Sequence, residues 1–317
     1  MNLSNKTLKI FEDCERKSND DIEIMRGISA DLFGNNTEFI IGVNGSYARR
    51  EVTSGSDIDL FFLAIGDDTE QIVSFKNQFT DKLKERGFKM PADGGVFEEI
   101  HTVNNTIDTI GGLDDKNEHI TRRMLLLLEG EWLFNEEKFK NVREELINSY
   151  IDKSIRDDQI CMFLLNDIIR YWRTICVDFE FKVKDGDKAR AIRLIKLRFS
   201  RMMLYLAGLL AVGETYKKNR EGKLNTLLEL FEQPPIKRFQ SISGKQGMSV
   251  LNIYAEFLTA LDDEKIRMQL DIKGEPGMET TEYKSLHELA HNFRKIVYEF
   301  LGAHYKNGHP MLSALML

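Results

Sequence analysis

Cysteine is scarce in this chain, with three residues among 317: Cys14, Cys161 and Cys176. They stand far apart or within apolar helical text, which excludes a disulfide framework and reads as reduced core thiols of a cytoplasmic protein. Positive charge is not in excess either. Lys and Arg number 44 against 51 Asp and Glu, a formal net charge of -7, so the chain has no general attraction to nucleic acid or anionic membrane. Membrane-length apolar runs are missing, because 202–212 is too short and follows Arg198 and Arg201. The first residues carry Lys6, Glu12, Asp13 and Glu15 among few apolar positions and do not read as a secretory signal. No repeat or low-complexity segment occurs, and the loop-rich joint at 233–247 holds Pro234, Pro235 and Gly244. What is present, 42% hydrophobic residues over 317 positions, suffices for one large or two ordinary domains with real cores.

One stretch organises the rest. Residues 37–43 read as a buried strand; Gly45-Ser46-Tyr47-Ala48-Arg49-Arg50-Glu51 follows, then Ser56-Asp57-Ile58-Asp59 opens a second apolar strand running to Ile65. Side chains two apart on a strand face the same way, so Asp57 and Asp59 aim at one spot. Two carboxylates held together at the end of an apolar strand call for a cation, and Mg²⁺ is the hard ion that takes carboxylate and phosphate oxygens. Gly45 and Ser46 let the backbone approach an anion and offer N–H groups and a hydroxyl. Arg49 and Arg50 would hold a triphosphate by charge-assisted bonds.

The order of strand, Gly-Ser, basic turn and Asp57-x-Asp59 on the next strand resembles the signature of the DNA polymerase β-like nucleotidyltransferases. With Arg and Glu after Gly45-Ser46, it looks most like their bacterial minimal and uridylyltransferase-like branch. The resemblance implies a small mixed β-sheet catalytic domain with flanking helices over 1–150; beyond Asn135 strands are hard to find, and the shift to helical text sets a boundary near 150 with an all-helical domain over 151–317, an α+β fold in all. It implies transfer of a nucleoside monophosphate from a nucleoside triphosphate such as ATP, with pyrophosphate release and Mg²⁺, in two ions, at Asp57 and Asp59. It also implies a third carboxylate on a later strand. Asp93, in the loop 91–97, is the first candidate for it, with Glu98, Glu99 and Asp108 as alternatives. The acceptor stays open among a protein, a small molecule, a nucleotide and an RNA end, with RNA disfavoured by the net charge. A non-catalytic nucleotide-binding sensor is the alternative.

Along the chain, apolar spacing predicts helices over 1–33 and 67–86, a third strand near 88–90, a loop over 105–118 and a helix over 121–130 that carries Arg122 and Arg123. Beyond 135 the pattern predicts helices over 135–150, 155–183, 188–212, 221–232, 247–266 and 281–303. In the second of these, Asn166, Arg170 and Arg173 share one face at spacings of four and three. Such a polar stripe either lines a nucleotide or acceptor site or pairs with Asp167, Asp178 and Glu180. Lys196, on the next helix, is a further candidate for the triphosphate.

A competing motif lies at His287-Glu288-Leu289-Ala290-His291, the helical spacing of a zinc metalloprotease. A third ligand would have to follow, and neither His304, His309 nor Glu299 falls at a zincin spacing.

Overall fold

The computed structural model describes residues 5–66, 69–91, 99–107, 110–183, 189–306 and 308–316. The fold is α+β. Its first half runs α1 (Asn5–Phe33), β1 (Phe39–Asn44), α2 (Gly45–Ala48), β2 (Asp59–Ala64), α3 (Glu70–Glu85), β3 (His101–Thr102), α4 (Val103–Ile107), α5 (Asn117–Leu128), β4 (Glu131–Phe134) and α6 (Glu136–Ser149). The second half is helical: α7 (Met162–Val183), α8 (Arg190–Lys196), a π-helical turn (Leu197–Arg201), α9 (Met202–Gly213), α10 (Arg220–Glu232), α11 (Pro235–Ser243), α12 (Met248–Asp262), α13 (Glu264–Leu270), α14 (Thr281–His304) and α15 (Met311–Ala314).

The chain divides into two compact units. A sheet unit comprises Cys14–Val52 and Ser56–Asp152; a helical unit comprises Lys153–Leu317 together with Met1–Asp13 and Thr53–Gly55.

In the sheet unit the strand order is β3-β2-β1-β4, with β1 antiparallel to β2 and β4, and β2 parallel to β3. Alternation then sorts the side chains. Phe39, Ile41 and Val43 of β1 join Phe62 and Ala64 of β2 in one core with Phe33, Phe79, Leu83 and Phe134. Its aromatic rings interlock edge to face, Phe33 meeting Phe39 at 5.2 Å and Phe134 at 5.6 Å. The opposite face carries Gly42 and Phe61, and they are coupled: an added Cβ at Gly42 would overlap the Phe61 ring. Asn44 and Asp59 pair across the same ladder, at the end where α2 begins.

The third strand differs from expectation. Residues 88–90 form no strand; the Lys89 carbonyl accepts from Ile58 N–H, one residue before β2, at 2.9 Å, and Phe88 and Met90 pack against the sheet's core. The parallel partner of β2 is instead the two-residue β3, and β4, between two helices, was not anticipated. The expected loop over 105–118 also contains the end of α4 and the start of α5.

The helical unit packs around rings as well, Phe199 stacking on Phe257 at 4.5 Å and meeting Phe293 at 5.0 Å. Lys223 lies wholly inside it, its ammonium donating to the carbonyls of Asp157, Gln159 and Thr215 at 3.2, 2.7 and 2.8 Å. No helix among the described residues is long and apolar enough to cross a membrane.

Candidate functional site

β1 ends at Asn44 and the chain turns through Gly45 with φ of 71° into α2. A left-handed backbone favours glycine. Here a second demand coincides, because an added Cβ on Gly45 would overlap the Asp59 carboxylate. The short helix is tied back on itself: Arg49 N–H donates to the Gly45 carbonyl at 3.0 Å and Glu51 N–H to the Ser46 carbonyl at 2.8 Å. Ser46 is half-exposed. Asp57 is half-exposed and Asp59 exposed, separated by the fully buried Ile58, which anchors the pair in the core. The structure thus brings together Gly45 and Asp59 at one end of the sheet, with Ser46 and Asp57 next to them in the chain.

Two groups missed by the sequence reading stand beside them. Tyr47 is buried, and its hydroxyl is pushed far above the usual phenol range, first by burial and then by the charges of Asp21 and Asp57. It therefore stays a hydrogen-bond donor at any physiological pH. Burial likewise raises the Asp21 carboxyl, with Asp20 adding to the rise and Lys17 opposing it. Asn44 is 3% exposed, and neither atom of its carboxamide has a hydrogen-bond partner among the described residues. An unpaired buried amide costs about 1–3 kcal/mol. The signal for Asn44 was visible as a polar residue closing an apolar strand directly before Gly-Ser.

Both arginines are engaged by carboxylates of the sheet unit. The Arg49 guanidinium is buried and pairs with Glu51 at 2.8 Å and Glu129 at 2.5 Å. Arg50, at φ of 61°, pairs with Glu131 at 2.6 Å and donates to Asn19 at 2.7 Å and to the carbonyls of Tyr47 and Ala48. These ion pairs and hydrogen bonds tie the turn to Glu51, Glu129, Glu131 and Asn19. Arg123, another basic residue considered for phosphate, is fully buried in a forked pair with Asp115 at 3.0 and 2.9 Å and donates to the Tyr150 hydroxyl. Arg122 pairs with Glu118 and its guanidinium is held below the usual range by burial, against the charge of Glu99.

Asp93 lies outside the described residues, as do Glu98 and Asp108, while Glu99 is exposed. In the helical unit, Asn166 and Arg173 are exposed on α7 and Arg170 is half-buried between them, so the three share a face as the spacing required. Arg173 lies within electrostatic reach of the Tyr205 hydroxyl, whose upward shift by burial it opposes. Lys196 ends α8, half-buried, directly before the π-helical turn. Glu288 is exposed, and His287 and His291 touch each other, Nε2 to Nε2, at 2.9 Å.

Among the described residues no group of three or more His, Cys, Asp or Glu is placed to hold a metal. Asp57 and Asp59 nevertheless suit Mg²⁺ as a donor set. That ion is commonly held by one or two carboxylates, its other sites being filled by water and substrate phosphates. No protein-family model matches the chain, and a comparison with curated proteins gives no match either.

Proposed function

We propose that the sheet unit is a Mg²⁺-dependent nucleotidyltransferase centre, moving a nucleoside monophosphate from a nucleoside triphosphate to an acceptor with release of pyrophosphate. The observation that carries this reading is the fit of Gly45 to Asp59: the glycine is required by its φ and by the carboxylate lying where a Cβ would be. A turn built so that a backbone meets an acidic strand end has a direct use where phosphate, metal and carboxylate must converge.

In this reading Asp57 and Asp59 hold the metal, which when bound neutralises charge on the phosphates and polarises the phosphorus under attack. Ser46, half-exposed at the start of α2, offers its hydroxyl and backbone N–H to the outer phosphates. The buried pairs of Arg49 with Glu51 and Glu129 keep that turn in place, so positioning is prepaid rather than assembled on binding. The unpaired carboxamide of Asn44 supplies a donor and an acceptor for which the bound substrate is the natural partner.

The test is incorporation of labelled nucleotide and release of pyrophosphate across the four common triphosphates and a panel of protein, small-molecule, nucleotide and RNA acceptors. Asp57→Asn and Asp59→Asn should each abolish turnover while leaving the circular dichroism spectrum unchanged; undiminished turnover in both ends the proposal. A second reading, a nucleotide sensor without turnover, is favoured by one observation: both arginines of the motif are spent on internal carboxylates. It is distinguished by Mg²⁺-dependent nucleotide binding without pyrophosphate release.

A further inference from the structure

The helical unit contains a basic cluster that the proposed chemistry does not use. α8 does not pass directly into α9, because the π-helical turn Leu197–Arg201 is inserted between them. Such turns are rare, strain the hydrogen-bond ladder and concentrate at functional sites. This one carries Arg198. Its guanidinium Nη1 lies 3.0 Å and 3.1 Å from the two ring nitrogens of His287 on α14. His287 Nε2 is 2.9 Å from His291 Nε2, and His287 Nδ1 is 2.8 Å from the Tyr283 hydroxyl.

Among the described residues no carboxylate forms an ion pair with Arg198, His287 or His291. The nearby acid, Glu275, feels Tyr283 but stands 3.8 Å from Arg190, which also pairs with Glu180 at 3.4 Å. A cation set against an imidazole invites an anion, and the planar donor fork of arginine fits a tetrahedral oxyanion. A cationic neighbour also makes this a poor zinc site despite the histidine spacing, since the metal would sit beside a fixed positive charge.

We infer that Arg198, His287, His291 and Tyr283 form a binding site for a phosphate group, carried by inorganic phosphate or by a phosphomonoester. The site belongs to the helical unit and is independent of the nucleotidyltransferase reading. Arg198 and His291, through its Nδ1, donate to the phosphate oxygens, while His287, whose Nδ1 meets the Tyr283 hydroxyl and whose Nε2 meets His291, holds the cluster together. Binding is coupled to protons. The His287 ring is held below the usual histidine value by burial, then by the Arg198 charge and His291. An oxyanion offsets the repulsion by Arg198 and favours the protonated ring, so affinity rises as pH falls. From the other packed elements, Arg190 and Glu275 act on Tyr283 with opposite signs.

The experiment titrates the full chain with inorganic phosphate and follows the histidine ring protons by NMR. The expected result is saturable shifts of His287 and His291 with affinity of about 1 mM near pH 6, weakening roughly tenfold by about pH 8. Arg198→Gln and His287→Gln should each weaken binding at least about tenfold, while Asp57→Asn leaves it unchanged. Adenosine monophosphate replaces phosphate in a second arm: tighter binding assigns the site to a phosphomonoester, equal binding to free phosphate, and both support it. The inference is overturned if phosphate leaves both histidine resonances unmoved in the wild-type chain, or if Zn²⁺ alone moves them. Loss of phosphate binding in Asp57→Asn overturns it too. Should Arg198→Gln fail to fold, the wild-type histidine titration decides by itself.

Discussion

At Gly45 conformation and contact make the same demand. Alanine there would have to hold φ near 71° and displace the Asp59 carboxylate, so Gly45→Ala should cost at least about 1 kcal/mol of stability. It should also lower any Mg²⁺-dependent turnover far more than a surface substitution does. Thermal melts and pyrophosphate assays on the same preparation check both; a variant of wild-type stability and activity would show that neither demand is real. This residue was legible in the sequence because glycine between an apolar strand and a serine has few other uses. Arg49 was legible only as a charge. Two adjacent arginines after Gly-Ser invite a phosphate, whereas the chain supplies Glu129 from 80 residues downstream, a partner that no local pattern announces.

Among the elements, the long helices were read well because each carries several turns of apolar period; α11, which fills most of the stretch read as a loop-rich joint at 233–247, and the short helices and strands were not. β3 has two residues and β4 four, too few to display alternation, and β4 owes its existence to pairing with Ile41, Gly42 and Val43. Buried polar ties between elements were invisible for the same reason. Lys223 on α10 satisfies three carbonyls of two turns, and Lys223→Met, which keeps the bulk and removes the donors, should cost about 3 kcal/mol. Asp115→Ala should cost about 3–5 kcal/mol by leaving the Arg123 cation buried without its fork. Denaturant melts measure both; a loss below about 0.5 kcal/mol in either would mean that the tie is replaced by water.

For the molecule as a whole, acid is the vulnerable direction. Burial, as the first cause in each case, holds His287, His304 and His309 below the ordinary histidine range. In the window between each lowered value and the unfolded value of about 6.5, the unfolded chain binds more protons. Their contribution to stability is therefore full above about pH 6.5 and declines as pH falls through that window. Melting temperature should drop between about pH 7.5 and pH 5.5, and His304→Phe, which keeps a ring stacked on Phe300, should flatten that slope. An unchanged slope in this variant would remove His304 from the account.

The shortage of thiols also makes the chain convenient to label. Cys14 and Cys161 are buried, and Cys176 alone is half-exposed, its thiol made sluggish by burial. Prolonged reaction of the native fold with a maleimide dye should therefore mark one position. That position lies three residues beyond Arg173 on α7, one helical turn along the stripe of Asn166, Arg170 and Arg173. A single fluorophore there would turn the question of whether nucleotide or acceptor approaches this stripe into a change of emission, with no substitution required.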